Sequence, residues 1–275
     1  MPYSVAVRTA NCTLGSVNGT IDLGSGGNVY GYSKTGTSGT TSGGSVHGVG
    51  TTTNDPTRIS SDFSATFPPI VVPVPDVSYN VITTVPAAFP VAGHLAASDS
   101  RYYYVFAGGT AISDSVAITG DVTFLMNSHS GVSAMSFSGN RALTINSGAS
   151  LVLYTNGDID THGNALVNNN VQPASCLIYG TDTSVGGQSI TVGGNGELSA
   201  AIYAPNASLT LQGGGNSGNL SGAFIGATVR MTGGTDFHYD EALGNVNTGN
   251  PFGISKWREL QSATERGLYA DKLNF

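Results

Sequence analysis

The segment "TDFHYDEALG", Thr235 to Gly244, sets His238, Asp240 and Glu241 among two aromatics, Phe237 and Tyr239. A histidine beside carboxylates is the material of a proton-transfer site or a divalent-metal site. A second segment, "NGDIDTHGN" (Asn156 to Asn164), offers Asp158 and Asp160 as oxygen ligands, with His162 close by. Neither completes a known pattern. No second histidine stands at i+4 from His238, as a helical zinc pair needs. The Asp-x-Asp pair lacks the other loop ligands and the closing bidentate Glu of a calcium loop, so a solvated turn is the simpler reading. Cys12 and Cys176 are the only cysteines, so there is no thiolate cage for zinc. They are either two small buried hydrophobes or one disulfide. No catalytic residue, bound metal or cofactor is expected.

Residues of these types act only if the surrounding elements hold them together, and composition says what those elements are. Charged residues make up 10% of the 275 residues, against roughly 25% in an ordinary soluble domain. The 39 glycines are about double the usual share. Hydrophobic residues still reach 39%, in short alternating runs, which argues for folded all-β structure rather than a linker. A net charge of −7 with ten Lys and Arg provides no basic stripe for nucleic acid or an anionic membrane. No run of about 18 apolar residues is present, and the first residues lack a signal pattern. If the protein is exported, its signal or anchor has been removed or lies upstream.

The chain repeats itself. "ELSAAIYAPNASLTLQGG" (Glu197 to Gly214) and "NLSGAFIGATVRMTGG" (Asn219 to Gly234) share a leading Leu-Ser, an apolar pair, an alternating strand and a closing Gly-Gly. Looser copies are "CLIYGTDTSVGGQSITVGGNG" from Cys176, "LTINSGASLVLYTNGDI" from Leu143 and, as the first, "SVAITGDVTFLM" from Ser115. The anchors Tyr154, Tyr179, Tyr203 and Ile225 recur with a period in the low twenties. Such a period, with short strands and no helix between them, is the mark of a β-solenoid. Alternation then places Leu209, Leu211, Val229, Met231, Ile202 and Phe224 inward, and Ser208, Thr210, Gln212 and Arg230 outward. Corners fall at "GGGNSGN", "GGNG" and "NNN", where glycine and asparagine take tight turns at low cost.

One domain is expected, with irregular N-terminal coils over 1–64, a strap over 65–92, main coils over 93–243 and a tail over 244–275. In the N-terminal part, Ile21 and Val46 stand one such period apart. Six of the eleven prolines lie between Pro68 and Pro90. Proline cannot donate to a ladder, so that segment reads as an extended strap rather than an inner strand. The tail holds the only tryptophan, and Trp257 and Leu260 share a helical face.

Within a solenoid, His162, Asp158 and Asp160 lie three or more coils from His238, Asp240 and Glu241, too far apart to build one catalytic groove. A cap fits better. A solenoid ends in unpaired backbone groups and an open core, and the cap candidates are Phe237, His238, Tyr239, Asp240, Glu241 and Trp257.

The run "FHYDEAL" after "GAFIGATVRMTGG", preceded by "AAIYAPNASLTLQGG" and followed by "ISKWREL", resembles a bacterial domain family of unknown function. Its members occur in surface proteins, often behind a PilX-type N-terminal membrane segment of type IV pilus systems. The resemblance implies a right-handed parallel β-helix displayed outside the cell, with no catalytic residues to carry over. The expected function is a structural or adhesive surface β-solenoid of a pilus-like or secreted assembly, not an enzyme. Its partners would be other subunits of that assembly, a second copy of itself, or surface carbohydrate, with no nucleic acid and no membrane contact. The alternative is a self-assembling filament subunit, as in bactofilin-like polymers. An ice-binding array is less well matched, because "LTI", "ITV" and "LTL" supply only scattered threonines.

Overall fold

The computed structural model describes residues 9–24, 26–161, 165–194, 198–213, 218–232 and 235–245. The fold is all-β, a solenoid of about nine turns built from stacked parallel strands.

Three faces form the main stack. The first carries Asn80–Ile82, Tyr102–Phe106, Asp121–Met126, Ser150–Thr155 and Cys176–Gly180, then residues 198–204 and 218–226 of two long strands, and lastly Thr235–Tyr239. The second carries Ser133–Ser136, Asp158–Thr161 and Ser189–Gly194, followed by residues 208–213 and 228–232 of the same long strands. The third is shorter, with Ala88–Phe89, Val116–Ile118, Leu143–Ile145 and Leu166–Asn168. Among the described residues no further strand joins it.

The register follows the sequence repeat. Tyr154 pairs with Tyr179, Tyr179 with Tyr203, and Tyr203 with Ile225. On the inner side of the same strands Tyr104, Phe124, Leu153, Ile178 and Ile202 form a buried file, closed by the partly buried Phe224. Phe89, Tyr104, Phe106 and Phe124 pack together at the start of the stack, with neighbouring centroids 4.7 to 6.1 Å apart. Leu209 and Leu211 are buried as expected, each 1% exposed. Val229 and Met231 are not: they are 47% and 41% exposed. They pair with Leu209 and Leu211, so alternation assigns their side of the strand correctly. What fails is the cover, because among the described residues the strand beyond, Thr235–Tyr239, pairs only with residues 218–222.

The first face is buried on both sides at Cys176–Gly180 and at residues 198–204. Its outward file of Tyr179, Tyr203, Leu177 and Ala201 forms a second apolar cluster with Leu243, against which Ile70 packs. The Tyr154 and Tyr179 rings stack at 4.8 Å. A strand enclosed on both faces reads as an unbroken apolar run, and every residue of "CLIYG" is buried. The cover is the proline-rich segment. Tyr203 Oη donates to the Pro68 carbonyl at 2.7 Å, and Tyr79 meets the Tyr103 ring edge-on at 5.7 Å. Between Pro68 and Tyr79 the chain therefore crosses the outside of the stack, from a late coil back to an early one. The strandless part ends there. Asn80–Ile82 and Ala88–Phe89 are coil strands with Phe89 fully buried, and the prolines at 86 and 90 flank the second of these rather than interrupt it.

Asparagines hold the corners of the main stack. Asn170 Nδ2 donates to the Asn146 and Ala149 carbonyls, its Oδ1 accepts from Gly148 N, and Asn168 Nδ2 reaches the Ser199 carbonyl at 2.8 Å. Each bond satisfies a strand-end group of a neighbouring coil.

The N-terminal region is a separate small stack. Cys12–Ser16 pairs with Asn28–Thr35, which pairs in turn with Ser45–His47 and Ile59–Ser60. The expected link between Ile21 and Val46 is overturned: Ile21 pairs with Thr41, and Val46 with Val29. Both pairs enclose less chain than Leu151 and Cys176 do on the first face. Both cysteines are free thiols, Cys176 in the core and Cys12 partly buried, which decides between the two readings left open above.

Candidate functional site

The residues of "FHYDE" meet the N-terminal stack. Thr235–Tyr239 is the final strand of the first face, with Phe237 paired to Leu220, His238 to Ser221 and Tyr239 to Gly222. Phe237 packs on Phe224, ring centroids 5.3 Å apart. The chain then leaves the sheet through a short 3-10 turn, Glu241–Asn245. Asp240 shapes that turn: its N–H donates to the Gly222 carbonyl at 3.2 Å, and its Oδ1 accepts from Ala242 N at 2.9 Å. Leu243 is buried in the outer cluster beside Tyr203.

Glu241 makes the contact across the two stacks. Its Oε1 accepts from Thr9 Oγ1 at 2.8 Å and from Asn11 Nδ2 at 3.0 Å. Tyr239 lies in the same junction, where burial raises its phenol pKa, assisted by Cys12, Glu241 and Asp240. Close approach of the last coils depends on Gly222, whose φ of +143° suits glycine and where a Cβ would run into the Ala200 carbonyl oxygen.

The other sequence candidates stand apart from this junction. Asp158 Oδ1 accepts from Ser189 N at 2.7 Å, tying one coil of the second face to the next. Asp160 faces outward two positions on, in register with Thr191. His162 and Trp257 lie outside the described residues. Among the described residues, no three His, Cys, Asp or Glu side chains converge as a metal site would require.

Two buried polar groups carry no sequence signal. His129 is fully buried with Nδ1 3.1 Å from the Met126 carbonyl and Nε2 2.9 Å from the Thr110 carbonyl. Gln188 Nε2 donates to the Thr155 and Gly157 carbonyls at 3.0 and 2.7 Å. Both fill corners between the first and second faces, where a periodic pattern breaks off. In the N-terminal stack a cavity of about 300 Å³ is lined by Thr35, Gly39, Thr40, Thr41, Ile59, Ser60 and Ser61, with hydroxyls as its only side-chain polar groups.

Fold and junction together define a parallel β-solenoid whose polar side chains tie coil to coil. Residues 101–246 match a domain of unknown function, DUF7305, and with just over half its length inside that match the chain belongs to this family. No curated protein and no solved structure matches it.

Proposed function

We propose that the chain is a non-catalytic structural or adhesive β-solenoid of a cell-surface or secreted assembly. The observation that carries this reading is how the reactive side chains are used. Glu241 binds Thr9 and Asn11 across the two stacks, Asp158 binds the next coil, Asp240 builds its own turn, and His129 is held between two carbonyls. Groups committed to the scaffold in this way position backbone, not substrate. A surface kept wet by hydroxyls and amides, at 10% charged residues, suits a part that presents a long flank to a neighbour. The extracellular location rests on the resemblance of the "FHYDEAL" region to bacterial surface proteins.

An antibody against the folded chain should label intact source cells. Labelling only after permeabilisation would overturn the surface location. Purified protein should attach to surfaces of the same cells, and His238→Ala or Asp240→Ala should leave attachment unchanged. Loss of a small-molecule turnover in either variant would overturn the non-catalytic reading.

The filament reading is favoured by one observation, the exposure of Val229 and Met231 on the last described strand of the second face. It requires sedimentation to show growing, concentration-dependent species.

A further inference from the structure

The outer sides of the two broad faces differ in character. That of the first is apolar and packed against the proline-rich segment, whereas that of the second is polar. Ile159, Ile190 and Leu209 are buried, so alternation turns the residues that follow them, Asp160, Thr191 and Thr210, outward. The register sets these three and Arg230 in one file across four successive strands. Arg230 is exposed, and the other three are partly exposed. Strand spacing puts the carboxylate end and the guanidinium end of the file about 14 Å apart. Only hydroxyls lie between them, and Ser189 and Ser208 pair in the next outward file.

We propose that this face is a contact between two copies of the chain, related by a two-fold axis parallel to the strands and midway between Ser189–Gly194 and residues 208–213. The charge pattern selects the partner. Rotation about that axis reverses the file, so Asp160 of each copy faces Arg230 of the other, Thr191 faces Thr210, and Ser189 faces Ser208. A two-fold contact needs a surface complementary to itself. A file that runs from acid to base through a neutral middle is complementary to its own reverse, whereas a file of one sign would repel its copy. The short hydroxyl side chains in the middle let the two sheets approach until both rims pair. The contact spans four strands and is small, so a weak, reversible dimer is expected. It does not depend on the surface location proposed above.

Sedimentation equilibrium of the full chain at rising concentration should fit a monomer–dimer equilibrium that stops at the dimer. Asp160→Arg and Arg230→Asp should each weaken dimerisation by about tenfold or more, because each sets like charges against one another at both rims. In an equimolar mixture of the two variants both rims pair opposite charges again, so a dimer of near-parental affinity should form. A parent chain that stays monomeric at the highest concentration overturns the proposal, as does a mixture that associates no more strongly than its components. Species that keep growing beyond the dimer also overturn it and assign the association to the solenoid ends. Should a charge variant fail to fold, Thr210→Glu provides the second measurement. It places a carboxylate of each copy in the narrow middle and should abolish the dimer, while Thr144→Glu, outward on the third face, should leave it intact. Equal effects of these two variants would overturn the proposal.

Discussion

The coils from Tyr102 to Gly194 and those from Leu198 to Tyr239 use the same strands, yet they are closed in different ways. In the first group three faces enclose the core, and the first face has its longest turns here, from Val122 to Leu151 and from Leu151 to Cys176. In the second group no described strand joins the third face, and the turns shorten, first from Leu198 to Leu220 and then from Leu220 to Phe237. The taper changes what an inward position means. Leu209 and Leu211 are sealed, whereas Val229 and Met231, one coil later on the same files, are open. Strand alternation decides which side a residue faces, but burial also needs a coil above it.

That contrast is broken most severely by a charge placed on each side of it. Leu211→Asp should abolish folding, since an unpaired carboxylate cannot be held in an apolar interior. Met231→Asp, next along the file, should leave a folded protein and cost about 1 kcal/mol, the range of a half-exposed site. Denaturant titration of the two variants measures the difference, and equal losses would remove the distinction between sealed and open coils.

Next in size is Gly222→Ala. Its Cβ meets the Ala200 carbonyl between the two closing coils, and about 2–4 kcal/mol of destabilisation is expected from the displaced backbone. A thermal midpoint unchanged from the parent would show that the last coils have room to relax.

Alkaline titration probes the covered face and the core together. Burial pushes the Cys176 thiol from 9.0 up to about 12, and the Tyr203 phenol from 10.0 up to about 12. Both groups are neutral when folded and ionise earlier when unfolded. Their contribution is complete below about pH 9 and is lost as pH rises from there towards 12. Melting temperatures over that interval should fall, and fall less steeply in Cys176→Ala. An identical slope in the variant would contradict the sealed core at that coil.

The smallest effect belongs to the exposed contact between the two stacks. Glu241→Ala removes the acceptor shared by Thr9 and Asn11 and should cost about 1 kcal/mol or less, because water competes for both donors. Hydrogen exchange should then quicken in Cys12–Ser16 before any change in the main stack. Faster exchange in Tyr102–Phe106 instead would mean that the contact supports the whole molecule.

The sequence is most legible where geometry repeats. Parallel strands stacked in register turn a recurring structure into a recurring spacing, so Tyr154, Tyr179, Tyr203 and Ile225 fall on one file by spacing alone. The N-terminal stack is misread because its true partners, Ile21 with Thr41 and Val29 with Val46, lie closer in sequence than the spacing of the Tyr154, Tyr179, Tyr203 and Ile225 anchors. The offset from Ile21 to Val46 matches the main period only by coincidence. Val229 and Met231 are misread because alternation carries no information about where the stack ends. At the junction, Phe237, Asp240 and Glu241 stand out by type, but Thr9 and Asn11, the partners of Glu241, are short polar residues in a chain full of them. Nothing local marks them, since the contact joins opposite ends of the described chain.

The path of the proline-rich segment has a consequence for the order of events during synthesis. Residues 9–63 leave the ribosome before the main coils, but their resting place beside Glu241 is translated only after nearly every coil has been made. Pro68 likewise waits for Tyr203, far downstream. The small stack can form its own strand pairs early and then remain tethered by an extended lead while the main coils accumulate. Its attachment is thus a late event of very high sequence separation, the kind of contact that slows folding and follows local assembly.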